Sequence, residues 1–526
     1  MNAQLRPATL TESELRATIY FAVGVASEGS LRGRNVAYDL AFAGYIHQAG
    51  DTARGEPREA GVFREGQLEP IYNSGYSIGT LQTDFGQQRN DVNRNADRLL
   101  DAYQAWAQEH TQQRPDLALT PAEYDMASDA LRRQGNEIRG DRQVVTDNGY
   151  DVPAGIKTRL SEFLGSDDGI TFVHNQDIRQ VNHLLRNGGS IRQLEDTLLY
   201  QNATADDQIR LATVISKLEN QDGRRNWPRI VERIESGAID SVDDLKAAVP
   251  RHLHGDRDNA LRGAELVISL RGSEANNPLH AAWQSVVADP LVNPTQLDQD
   301  RTRPNLLAEY STVKNLFLVP AQGRAFVEAL DVGGTRSQDV RFQGAPAGHT
   351  AGLYASGSDL VQWNRNGHGH AYVGGEWREI ERSQVTRTDR DNGVVELNVA
   401  RDGVPVPLLH IDPRAPRMQP RPDLPQDVQR QPGGDGSSIH DRGPEQGQQA
   451  DGRQGMLYDP PGRWEEFLAD RYLAAVISGD SALADRAAVD FARSAEGRHM
   501  EAQGERLLAQ QQAAEQSQAQ DRQMTR

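Results

Sequence analysis

The sequence predicts a mainly α protein of α+β type, on three observations. Apolar residues recur at helical spacing through positions 1–335. Short β-prone runs, split by Asn-Gly, Gly-Gly and Asp-Asn-Gly turns, replace them over 336–410 and predict a small antiparallel β module. Pro, Gly, Gln, Asp and Arg then dominate 411–455, which predicts a disordered linker, and 456–526 reads as a helical, glutamine-rich C-terminal segment. The chemistry-bearing motifs all lie within 12–185.

Thr11-Glu12-Ser13-Glu14 fits a capping box and opens the first helix, in which Leu15, Ile19, Tyr20, Ala22, Val23 and Ala26 form an apolar surface too broad for a half-exposed helix. Gly50 to Gly86 is loop-rich and contains a hairpin signal at Tyr72–Gln82. Helices are predicted at Val92–His110, Pro121–Gly135, Val152–Leu164, Asp177–Leu185, Ala205–Glu219, Trp227–Ser236 and Asn305–Leu330. Leu360–Trp363, Ala371–Val373, Glu376–Glu381 and Val394–Val399 read as strands of the β module. Two or three helices are expected between Pro461 and Gln516.

The 526 residues carry Lys+Arg 57 against Asp+Glu 75, a formal charge of −18, which argues against general nucleic-acid binding. Cysteine is absent, so disulfides, thiol nucleophiles and Cys-ligated zinc are excluded. No run of ~20 apolar residues predicts a membrane span. The first residues lack the charged-then-apolar pattern of a secretory signal, so the protein is expected to be made in the cytoplasm and exported, if at all, by a specialised apparatus. Only Lys157, Lys217, Lys246 and Lys314 are lysine; arginine supplies the remaining basic residues, a pattern read as codon bias of a GC-rich genome. No cofactor motif occurs. His368 and His370 share one face of a predicted strand without a third metal ligand, and the adjoining Asn-Gly turn makes them a hairpin tip. Trp363, Tyr372 and Trp377 are candidates for stacking on sugars or for a small β core.

Two segments carry chemistry. In Ala26-Ser27-Glu28-Gly29-Ser30 a carboxylate closes an apolar helix, where the helix dipole and apolar surroundings both disfavour ionisation; a glycosidase general acid needs such a proton. In Gly75-Tyr76-Ser77-Ile78-Gly79-Thr80-Leu81-Gln82-Thr83-Asp84 the glycines admit close approach to a sugar, Tyr76 is available for stacking, and Ser77, Gln82 and Asp84 for polar contacts.

Together these residues resemble the lysozyme superfamily. Gly79-Thr80-Leu81-Gln82-Thr83-Asp84 is similar to the Gly-Leu-Met-Gln-Val-Asp segment of goose-type lysozymes and to the Gly-Leu-Met-Gln of lytic transglycosylases. Gly75–Gly79 resembles the glycine-tyrosine hairpin of phage-type lysozymes and chitosanases. The resemblance implies a lysozyme-like helical domain that cleaves peptidoglycan glycan strands as a muramidase or lytic transglycosylase. It implies Glu28 as general acid, Asp84 as the second catalytic carboxylate and Tyr76, Ser77 and Gln82 as substrate contacts, with no cofactor and no metal. Thr80-Leu81 stands where Leu-Met is usual, no Glu-Ser-x-Phe follows Glu28, and Asp39, Glu65 and Glu69 compete with Asp84. Phe163–Gly169 and Phe172–Asp177 resemble the helical lobe of effector-type muramidases; His174 reads as a core or cap histidine.

The linker and Gln-rich tail look like those of antibacterial effectors sent by type IV secretion systems of Xanthomonas-like bacteria. That likeness implies a secretion-system coupling protein as a partner of the C-terminal segment, a cognate periplasmic immunity protein or inhibitor, and action in the target-cell periplasm. Competing readings are a phage or prophage endolysin, a chitosanase-like glycosidase and, outside the enzymes, a helical adaptor or scaffold.

Overall fold

The computed structural model describes residues 10–31, 33–42, 44–47, 56–57, 67–70, 75–85, 92–132, 152–223, 225–299, 302–342, 348–401 and 404–414. The expected linker beyond residue 414, the C-terminal segment 456–526 and Glu65 lie outside these residues.

Thr11 caps helix α1 (Glu12–Thr18): its hydroxyl accepts from the Glu14 amide, and Glu14 Oε2 accepts from the Thr11 amide at 2.8 Å, completing the capping box. The helix runs on as a π-helical segment, Ile19–Glu28, in which Ile19 through Ala26 are all buried. It closes with the Gly29 amide on the Gly24 carbonyl at 2.7 Å, the wide i→i+5 bond of a π turn. The all-round apolar surface has a tertiary cause. Tyr20, Phe21 and Val25 face one core, whereas Leu15, Ile19 and Val23 face another.

The described helices continue as α2 (Val92–His110), α3 (Pro121–Arg132), α4 (Ala154–Leu164), α5 (Asp167–Leu184), α6 (Ser190–Glu195), α7 (Leu198–Asn202), α8 (Ala205–Asp222), α9 (Trp227–Glu235), α10 (Val242–Ala248), α11 (His254–Arg271), α12 (Pro278–Ala288), α13 (Leu306–Phe317) and α14 (Pro320–Asp331). Helices α11 to α14 build the core around Phe21, with Trp283 and Phe317 against its ring. Helices α5, α6 and α8 to α10 build the core around Val23.

Three expectations are corrected. The span Asn305–Leu330 is two helices, because Pro320 disfavours helical geometry at Val319, which sits at φ −139° and ψ 59°. Helix α5 begins at Asp167, ten residues before its expected start, since Ser166 caps it by accepting from the Gly169 amide. Helices α6, α7 and α10 to α12 join the predicted set.

Tyr76–Ile78 pairs antiparallel with Ala41–Phe42 on one side and Thr83–Asp84 on the other, forming the predicted hairpin. Its Tyr76, Ile78 and Phe85 enter a third core with α2, α3 and α4, while Leu81 at its tip enters the α8 core. The hairpin thus joins two helical groups.

In the β module, Thr335–Arg341, Thr350–Ser356, Asp359–Trp363, His368–Val373 and Glu376–Glu381 form an antiparallel meander. Val385–Asp389, Val395–Arg401 and Val404–Ile411 form a second sheet, so strand structure runs into the start of the expected linker. Alternation divides the first sheet between two cores: Leu353 and Ala355 join the helical core around Phe21, and Tyr354 packs with Trp363, Leu397 and Leu408 of the module. The module therefore packs directly on the helical region. Trp363 is enclosed and stacks on Tyr354 at 5.0 Å, whereas half-buried Tyr372 and Trp377 rest against the helical core.

Candidate functional site

Glu28 is the last residue of the π-helical segment and the hairpin tip packs against it. A Cβ on Gly29 would lie 2.7 Å from the Thr80 carbonyl oxygen, and one on Gly24 2.9 Å from Thr80 Cγ2. The two glycines flanking this helical turn are what admit the tip. Gly79 turns the hairpin at φ +89°, a left-handed conformation that glycine adopts without Cβ strain.

Helix α8 supplies the partners of Glu28. Lys217 Nζ donates to Glu28 Oε1 at 2.6 Å, and Asn220 Nδ2 donates to the same oxygen at 3.2 Å. Residues three apart share one face of a helix, which is why both reach one carboxylate. Asn220 Nδ2 also donates to the Leu81 carbonyl at 3.0 Å, and Asn220 Oδ1 accepts from Gln180 Nε2 of α5 at 3.0 Å. One amide therefore ties the helix end to the hairpin tip. Glu28 Oε2 has no hydrogen-bond partner among the described residues, and the side chain is 16 % exposed against 2 % for Lys217. One oxygen is anchored and the other is open.

The expected apolar setting of Glu28 is thus corrected. Its carboxylate faces an ammonium and an amide that arrive from a helix distant in sequence.

Helix α5 holds the other side of the tip. Asp177 Oδ1 accepts from the Thr80 amide at 2.8 Å, and burial pushes the Asp177 carboxyl up to about 6, against hydrogen bonds from Thr80 that favour its ionised form. Thr80 Oγ1 donates to Tyr20 Oη at 3.4 Å, and Lys314 Nζ donates to Tyr38 Oη at 3.4 Å while lying over that ring. His174, one turn before Asp177, is buried, which holds its imidazole below the usual histidine range.

The other expected residues are placed as follows. Asp84 pairs across the hairpin from Ser77, and its Oδ2 accepts from the Gly75 amide at 2.9 Å. Ser77 Oγ donates to Gln82 Oε1 at 2.9 Å, and Gln82 Nε2 donates to the Gly79 carbonyl at 2.8 Å. Tyr76 is 1 % exposed, so its ring is core and presents no face for stacking. These residues shape the hairpin from within. Asp39 is paired with Arg34 at 2.5 Å, and Glu69 lies in the strand Gln67–Pro70.

Elsewhere, His368 Nδ1 lies 2.6 Å from Glu381 Oε1, and burial lowers His370 to about 4. Among the described residues no group of three His, Asp or Glu side chains is placed to hold a metal ion. No described helix is long and apolar enough to cross a membrane. A cavity of about 830 Å³ lies between α7, α8 and α10, away from Glu28, and its cations are paired within it: Arg210 with Asp207 and Glu265, Lys246 with Asp243.

No protein family, curated protein or solved structure matches the chain.

Lys217, Asn220 and Asp177 are the site residues that motif reasoning did not single out. The lysines held a signal. In a chain whose basic residues are nearly all arginine, Lys217 is buried at Glu28, and Lys314 is half-buried beside Tyr38.

Proposed function

We propose that the chain cleaves peptidoglycan glycan strands, with Glu28 as general acid. The observation that carries this reading is the anchored carboxylate with one open oxygen, held beside a glycine-rich hairpin by Asn220. Because Oε1 already faces two donors, a transferable proton belongs on Oε2, the oxygen open to a glycosidic bond. Lys217 holds Oε1 and so orients the carboxyl, and a proton taken from solvent onto Oε2 passes to the leaving sugar oxygen. In a hydrolase, Asp84 activates water; in a lytic transglycosylase, the sugar's own hydroxyl closes an anhydro ring.

The same reading makes the protein an antibacterial effector that acts in the periplasm. It is countered by an immunity protein that covers Glu28 and delivered through residues 456–526 by a coupling protein. An endolysin would use the same acid on peptidoglycan, and a chitosanase would use it on chitosan.

One observation favours a second reading. Lys217 and Asn220 saturate Oε1, as a purely architectural ion pair would, and a helical scaffold needs nothing more.

Digestion of purified peptidoglycan by the full-length protein, beside Glu28→Gln, separates the two. Soluble muropeptides from the wild type and none from the variant support the enzyme, and reducing or anhydro ends distinguish hydrolase from transglycosylase. An intact wall with both folded proteins, and intact chitosan, supports the scaffold.

A further inference from the structure

The hairpin closes its own turn but leaves its tip to be held by something else. The Gly79 amide donates to the Ala37 carbonyl at 2.9 Å, and the Gln82 amide and Nε2 both donate to the Gly79 carbonyl, at 3.1 and 2.8 Å. None of these bonds uses the Thr80 amide. That group donates instead to Asp177 Oδ1, 97 positions along the chain, at 2.8 Å. A Cβ on Gly79 would lie 2.7 Å from the same oxygen, so the carboxylate sits directly against the tip.

Asp177 is 2 % exposed and faces Tyr20 from the π-helical segment and Tyr310 and Lys314 from α13. Burial keeps its carboxyl well above the usual aspartate range. A hydrophobic residue would fill such a place at lower cost unless the oxygen atoms were needed.

We propose that Asp177 is a positioning residue which, through the Thr80 amide, seats the Gly79–Leu81 tip against the end of the Glu28 helix. Its effect reaches Glu28 in two bonds: the Leu81 carbonyl of the same tip accepts from Asn220, and Asn220 holds Glu28 Oε1. Gln180, on the Asp177 face of α5, fixes the amide of Asn220, so one helix sets both ends of the link. Releasing Thr80 lets the tip move and loosens one of the two bonds that aim Glu28. Only this effect on catalysis rests on the proposed glycan cleavage; the seating of the hairpin does not.

Hydrogen exchange of the full-length protein, read by mass spectrometry on 76–85, is the test. Asp177→Ala removes the acceptor, and exchange in that segment is expected to rise roughly tenfold while α11 and α12 stay as in the wild type. Asp177→Asn keeps an oxygen acceptor and should restore the protection. Wild-type exchange in the alanine variant overturns the proposal, as does an asparagine variant no better than alanine.

If the alanine variant does not fold, the wild type decides. The Thr80 amide must exchange roughly a hundredfold more slowly than a free peptide, and exchange at the free-peptide rate overturns the assignment. On soluble glycan strands, the alanine variant should lose kcat with KM held within about twofold, and asparagine should recover it; a change in KM alone rejects the positioning role. If the wild type cleaves no glycan, the proposed activity fails while the exchange result still decides the role of Asp177.

Discussion

Lys217 Nζ lies 2.6 Å from Glu28 Oε1, and the lysine is almost wholly enclosed while the glutamate keeps an edge to solvent. The two partners are therefore unequal. Glu28→Ala strands an ammonium inside the protein, at a cost of about 3 kcal/mol, whereas Lys217→Met leaves a carboxylate that water can reach and should cost ~1 kcal/mol. The double variant should recover most of the first loss. Urea unfolding of the four proteins checks this, and equal single losses would contradict the asymmetry.

Asn220 works because its amide nitrogen is a donor facing two acceptors, Glu28 Oε1 and the Leu81 carbonyl. Asn220→Asp places a third acceptor there and should destabilise by ~2–3 kcal/mol, more than Asn220→Ala. If the proposed activity holds, the aspartate variant should also lose activity on peptidoglycan. Thermal unfolding and turbidity clearing of wall suspensions measure the two effects.

Gly79 and Gly188 both have positive φ, +89° and +71°, but only Gly79 would push a Cβ into a neighbour, Asp177 Oδ1. Gly79→Ala should therefore cost ~2–3 kcal/mol and Gly188→Ala ~1 kcal/mol, since the second pays backbone strain alone. Denaturant midpoints of the pair provide the comparison.

The carboxyl of Asp177 is raised from 3.8 to about 6 by burial, so the folded state holds its proton more tightly than the unfolded chain does. By linkage, its contribution to stability is fully present below pH 4 and is lost as pH rises to about 6. Measured against Asp177→Asn, wild-type stability should fall by ~1–3 kcal/mol across that window and stay level above it. A difference that is flat from pH 4 to 7 would refute the assignment.

Elements governed by neighbours in sequence are legible from it. The Thr11 box caps the first helix, Val92–His110 and Glu376–Glu381 have the bounds that periodicity predicts, and Gly79 turns the hairpin where glycine and β-prone residues indicate. Tyr76 misleads because an aromatic between glycine and serine looks like an exposed turn residue. Only the packing of α2 to α4 under the strand makes it core.

Capping, periodicity and turn chemistry act over a few residues, so the order of residues already shows a carboxylate ending an apolar helix, a glycine hairpin after it, and more residues in helix than in strand. Tertiary structure alone decided what the carboxylate faces. The Lys217 and Asn220 bonds to Glu28 and the Asp177 bond to Thr80 all join segments that only the shared cores bring together. Hydrogen bonds and ion pairs act over about 3 Å, so their partners are chosen by packing and carry no signature in local sequence.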